Sequence, residues 1–172
     1  MGNIEKVQKI FKALEFDFDI DDFEHRLIAQ KLVCLLQLKG LDLGYQIDIY
    51  VRGPYSPELT KDLYHLNNEK PEGGKEDIIN SDDYELIKEL KDIIGLDPIE
   101  LEIASTYAFF LINRNMDHIE SYNQLKKMIP FYSHKHILSG INKAKIFLSD
   151  LRKNHENDMK EEFKAWQNAS IF

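Results

Sequence analysis

Cysteine, catalytic signatures and an uncharged N-terminus are what this sequence lacks, and each lack excludes something. The single cysteine, Cys34, rules out an internal disulfide and points to a reducing compartment, so the cytoplasm is the expected location. The first ten residues, MGNIEKVQKI, carry three charged side chains, Glu5, Lys6 and Lys9. They fit neither a secretory leader nor a membrane span, and no membrane partner is expected. Gly2 opens a loose myristoylation pattern, but Lys6 stands where Ser or Thr is required.

Signatures of chemistry are missing as well. There is no G-x-S-x-G elbow, no phosphate-binding G-x-x-x-x-G-K-[ST] and no G-x-G-x-x-G. The glycines of EGGKED belong to a polar turn with no apolar strand directly before them. His134 and His136 are two residues apart, which on a helix points them to different sides, and no H-E-x-x-H or cysteine pair accompanies them. Asp17, Asp19, Asp21 and Asp22 resemble the start of a calcium loop. The required Gly and Glu are absent, however, their places holding Asp22 and Ile28. Cys34 sits on an apolar-rich segment and reads as packing. No metal or cofactor is expected, and an enzyme is not the expected class.

What is present is a globular composition. The chain has 172 residues, of which 43% are apolar, enough for one ordinary hydrophobic core. The expected organisation is a single, mostly helical domain over 1–153 with a C-terminal helical extension over 154–172. Net charge is −8 but unevenly distributed. Residues 1–113 hold 12 Lys and Arg against 23 Asp and Glu, whereas residues 114–153 hold 8 against 3. Such asymmetry marks either a solvated helix face or a surface for an anionic partner.

Periodicity predicts a mainly α (α+β) domain, a compact bundle of about seven helices with one small β-hairpin and a winged-helix-like variant of it as an option. Ile4, Val7, Ile10, Phe11 and Leu14 fall at helical spacing. A second helix over Asp22–Lys39 is expected to bury Phe23, Leu27, Ile28, Leu32, Leu35 and Leu36, with Gly40 as its left-handed cap. YQIDIYV (45–51) alternates and reads as a strand, with DIIN (77–80) as its expected partner across the polar turn 67–77. A helix over Asp82–Ile94 should face Tyr84, Ile87, Leu90 and Ile94 inward. The next, opened by Pro98, is apolar around much of its circumference and is the expected central core helix. Shorter helices follow over Glu120–Met128 and from Ser133, the last with a seam of Ile137, Ile141, Ala144, Leu148 and Leu151.

The densest stretch is VRGPYSPELTKDLYHL, residues 51–66. Ser56 caps a helix, Pro57 takes its first position without losing a hydrogen bond, and Glu58 suits the positive end of the dipole. Gly53-Pro54 is expected to end the preceding strand. This helix-start logic does not require Arg52, Tyr55 or Lys61, which are left as binding candidates near the turn. Two further sets compete with them. Lys126, Lys127, Lys135, Lys143 and Lys145 form the basic region a nucleic acid would use. In the tail, Phe163, Trp166 and Phe172 either extend the last apolar seam onto the core or offer an aromatic face to a partner.

The strings RLIAQKLVCLLQLKG (26–40), YVRGPYSPELTKDLYHL (50–66) and LDPIELEIASTYAFFL (96–111) resemble the YwgA-type family of prokaryotic proteins. More distantly the chain is similar to the Panacea (SocA-like) antitoxin domain, which also places a Gly-Pro turn between a strand and a helix. The positions that carry the likeness are Gln30, Lys31, Leu32, Gly53, Pro54, Tyr55, Ser56, Pro57 and Leu59. The resemblance implies a helical domain with a small β element and roles in toxin neutralisation, defence loci or regulation, with no catalytic set to transfer. The expectation is therefore a non-enzymatic protein-binding regulator, antitoxin-like or defence-associated, whose partner is a toxin or effector subunit. Its contacts would be Arg52, Gly53, Pro54, Tyr55, Lys61 and the aromatic tail. The alternative is a winged-helix-like DNA-binding regulator using the basic region.

Overall fold

A computed structural model describes residues 2–66 and 79–151. The tail aromatics Phe163, Trp166 and Phe172, and the 67–77 turn, lie outside the described residues. The elements run α1 (Ile4–Ala13), α2 (Phe23–Leu38), β1 (Asp48–Tyr50), β2 (Gly53–Tyr55), α3 (Pro57–Leu66), α4 (Ser81–Ile93), α5 (Pro98–Ile112), α6 (His118–Met128) and α7 (His134–Phe147). The mainly helical class with one small hairpin is as expected. No described helix is long and apolar enough to cross a membrane.

Each helix begins where a polar side chain can satisfy its free backbone N–H groups. Asn3, Asp22, Asn80, Asp97 and Ser133 cap α1, α2, α4, α5 and α7. Asp117 and Glu120 form a reciprocal capping box that starts α6 two residues before the expected Glu120. The caps on α4 and α5 come from Asn80 and Asp97, one residue ahead of Ser81 and Pro98.

α5 is the central helix, as its sequence implied: Leu101 to Phe110 are all buried, and α2 and α7 pack against it. Gly140 of α7 lies so close to α5 that a Cβ there would sit 2.5 Å from Cγ2 of Ile103. The α7 seam buries Ile137, Ile141, Ala144 and Leu148, with Leu151 packed at its edge. α1 contributes Val7, Ile10 and Phe11, the last meeting Phe16 and Phe18 edge-on or tilted at just over 5 Å.

Five local expectations need correction. Phe23, expected in the core, is 56% exposed, because it opens α2 before the helix enters the bundle at Leu27. Tyr84 is likewise exposed, while Ile87, Leu90 and Ile94 are buried as expected. The strand is shorter than 45–51, and its partner is different. The Gln37 side chain donates to Tyr45 O (2.9 Å) and accepts from Tyr45 N (3.0 Å), so this backbone is satisfied without a strand neighbour. β1 then turns back through Val51 and Arg52 onto β2, pairing Asp48 with Tyr55, Ile49 with Pro54 and Tyr50 with Gly53. Gly53-Pro54 therefore opens the second strand, and the preceding strand ends earlier, at Tyr50. Asn80, assigned to the expected partner strand, caps α4 instead.

Candidate functional site

The hairpin is held from two sides by charged and polar side chains buried in the bundle. From α2, Lys31 donates through Nζ to the carbonyls of Arg52 (2.5 Å) and Pro54 (2.7 Å), and is itself only 2% exposed. One residue earlier, Gln30 accepts from Ser56 N (2.8 Å) and donates to Ser56 O (3.0 Å) and Thr60 Oγ1 (2.9 Å). Adjacent residues on one helix thus take up the backbone of residues 52–56. Burial pushes the Lys31 amine down to about 8, partly offset by the nearby Glu102.

From α5, Glu102 binds the Arg52 side chain. Arg52 donates from Nε to Oε1 (2.6 Å) and from Nη2 to Oε2 (2.7 Å), a two-pronged pair of the strong kind. Tyr132, in the connection between α6 and α7, donates to Glu102 Oε2 and accepts from Arg52 Nη2 (3.2 Å). The Glu102 side chain is fully buried, whereas Arg52 keeps 43% exposure. Loss of Arg52 would strand a buried carboxylate, the costly half of such a pair, while loss of Glu102 would leave a cation that water can reach. The hydrogen bond to Glu102 holds the Arg52 guanidinium above its ordinary value. Burial and Glu102 push the Tyr132 phenol up to about 12.

The backbone at Gly53 completes the fit. It has φ +82°, and a Cβ there would sit 2.2 Å from Thr106 Oγ1 of α5. Thr106 is fixed in turn by donating to the Glu102 carbonyl (2.6 Å). No residue other than glycine suits both the dihedral and the gap.

Above this lock lies an apolar surface. Val51 at the turn is 87% exposed, Phe131 62%, Phe23 56% and Tyr50 48%. The rings of Phe131 and Phe23 stand 5.7 and 6.0 Å from Arg52 Cζ, so the guanidinium is the common neighbour of both. Tyr132 packs edge-on against Phe131, and Tyr50 against Tyr55. The geometry presents a rigid arginine among exposed aromatic rings.

Of the expected contacts, Arg52 stands at the centre of this surface. Gly53 and Pro54 are buried beneath it as support. Tyr55 is half-buried, its ring on Tyr50 and its hydroxyl accepting from Thr60 Oγ1 at 2.8 Å, so it braces the hairpin. Lys61 is exposed on α3, and no described contact brings it to Arg52. Among the basic set, Lys126, Lys127, Lys135 and Lys145 are exposed. Lys143 is partly buried, donating to Ile94 O and lying 3.8 Å from Glu100 Oε2, a structural position. Sequence reasoning missed Glu102, Phe131 and Tyr132. Glu102 carried a readable sign: it is the only charged residue between Leu101 and Ile112 on a helix buried all round.

Chemically, the network is self-satisfied. Both Glu102 oxygens accept hydrogen bonds, and Lys31 is engaged by two carbonyls. Burial pushes the Cys34 thiol up to about 12, which suits inert packing. A cleft of about 260 Å³ lies beside it, lined by Cys34, Gln37, Leu38, Tyr45, Phe109 and Ile112 among others. No cluster of metal-ligating side chains occurs among the described residues.

Comparison with known protein families, with curated proteins and with solved structures finds no match to this chain. The YwgA-type and Panacea-like resemblance thus stands on the residues alone. Of the positions that carry it, Gln30 and Lys31 hold the backbone that runs from Arg52 to Ser56.

Proposed function

We propose that this protein is a non-enzymatic protein-binding regulator whose docking surface is the hairpin tip and its aromatic surround. One observation carries the reading: Arg52, fixed by Glu102 and Tyr132, is flanked by exposed Phe23 and Phe131 beside the protruding Val51. Arginine and aromatic side chains dominate binding hot spots, and an arginine already held in place loses little freedom when a partner arrives. In its narrower form the role is antitoxin-like or that of a defence-associated accessory subunit bound to a toxin or effector, as the likeness of VRGPYSPEL implies.

The test is recovery of partners from the native host on the tagged full chain, with and without nuclease. A stoichiometric protein should survive nuclease, and Val51→Asp or Phe131→Ala should cut its recovery at least tenfold. Neither side chain is in the core, so both variants should melt close to the parent chain. Unchanged recovery with both variants overturns the reading.

A second reading, a winged-helix-like DNA-binding regulator, is favoured by the exposed Lys126, Lys127 and Lys135 about the α6–α7 connection. It calls for nuclease-sensitive recovery that falls steeply with salt and is lost on reversing those three charges.

A further inference from the structure

We infer that the same surface pairs with a second copy of the chain, in a two-fold contact that sets its acidic flank against its partner's basic flank. The inference shares its surface with the functional reading above but does not depend on any other partner.

From Ser121 to Ser149 the chain has five lysines and not one Asp or Glu, although the whole sequence holds 30 acids. In space this stretch is α6, α7 and their connection, with Phe131 projecting between Lys126 and Lys127 on one side and Lys135 on the other along the chain. The approach to α2 is the opposite. Along the chain Asp17, Asp19, Asp21, Asp22 and Glu24 flank Phe23, with no Lys or Arg between Lys12 and Arg26. These two stretches meet at Arg52, which touches both Phe23 and Phe131. The other charged or titratable groups here are Arg26, whose guanidinium lies over Phe23, His25 behind Asp19, and His134 and His136 opening α7.

The ion pairs among the described residues join Lys6 to Asp83, Lys39 to Glu89 and Asp150, Arg52 to Glu102, Lys91 to Glu15, Arg114 to Asp48 and Lys143 to Glu100. None links the acids of 17–24 to the lysines of 126–135. Among the described residues the two flanks are thus not paired with each other; Asp22 accepts from Glu24 N and His25 N, Asp19 from Asp21 N, and Lys126 lies over the Tyr122 ring.

A two-fold contact has a strict requirement: one surface must complement itself, residue i meeting j while j meets i. An apolar centre with an acidic limb and a basic limb satisfies it. Rotation about an axis through the centre lays each limb on its opposite and brings Val51, Phe23 and Phe131 of the two copies together. Two chains of net charge −8 repel each other overall, and an orientation that sets unlike limbs together offsets that repulsion.

The experiment is sedimentation velocity on the full chain over a wide micromolar range, using the 20.2 kDa chain mass as the reference. A two-chain species should appear as concentration rises, and Val51→Asp should weaken it at least tenfold. Lys126→Glu with Lys127→Glu and Lys135→Glu makes both limbs acidic. Asp17→Lys with Asp21→Lys and Glu24→Lys makes the other limb basic on balance and leaves Asp19 and the Asp22 cap in place. Each set alone should weaken self-association tenfold or more, and an equimolar mixture of the two should form a two-chain species again. A single-chain mass throughout for the parent chain overturns the inference, as does a dimer indifferent to Val51→Asp or a mixture that stays monomeric. A monomeric parent whose partner recovery still falls with Val51→Asp would sink this inference alone and leave the protein-binding reading standing.

Discussion

Two buried residues beneath the hairpin give the sharpest tests. The unfolded chain keeps the Lys31 proton up to about pH 10.5, whereas burial makes the folded chain release it near pH 8. Between those values the unfolded state holds more protons, so this group makes the fold more stable as pH rises and loses that contribution as pH falls through 8. Lys31→Met removes the titration along with the clamp on Arg52 O and Pro54 O. Urea midpoints should show the parent chain's advantage over Lys31→Met widening from pH 8 upward, and a constant gap would mean Lys31 does not titrate there. Gly53→Ala brings a left-handed dihedral, about 1–2 kcal/mol, and an overlap with Thr106 worth a further 1–3. Adding Thr106→Ala should recover the overlap part but not the dihedral part, and a double-mutant cycle separates them. Simple additivity would show that the two residues do not touch.

At the scale of elements, the decisive contact is the crossing of α5 and α7. Helix propensity alone favours Gly140→Ala by about 1 kcal/mol, since Gly140 is interior to α7. Packing opposes it. The new methyl would lie 2.5 Å from the side chain of Ile103, which is wholly buried, so about 1–3 kcal/mol is lost. Thermal melting should therefore show net destabilisation, and a stabilised variant would mean that the helices can separate without penalty. The same crossing explains why α5 reads as apolar all round: it has neighbours on every side and leaves no face for water. Its one deeply buried acid then had to be matched from elsewhere, and the hairpin supplies the arginine.

For the molecule as a whole, the hairpin is small but central in connectivity. Through Lys31 and Gln30 it is tied to α2, through Glu102 and Thr106 to α5, and through Tyr132 to the connection ahead of α7. A surface braced from three elements keeps its shape when a partner docks, which is why the predicted losses for Val51→Asp and Phe131→Ala are in binding and not in melting. The division of charge is also a property of the whole. The excess of acid lies before residue 114 and the excess of base over 114–153, and the fold brings Phe23 of the first and Phe131 of the second to Arg52.

Helix positions, caps and the central place of α5 were determined by the sequence itself. These depend on residues within a turn or two of one another: Asp22 before Phe23, Ser56-Pro57 before Leu59, the circumference of 101–112, apolar but for Glu102, Ser105 and Thr106. The candidate site was legible only in part. Arg52 stood out because helix-start logic gave it no duty. With 30 acids in the chain, nothing local could say that its partner is Glu102, 50 residues away. Nor could spacing tell that Phe23 stops short of the core, that Tyr55 braces while Phe131 projects, or that β1 turns at once onto Gly53-Pro54-Tyr55. Those were decided by the tertiary structure, because ion-pair choice, ring exposure and strand pairing depend on which surfaces meet through space.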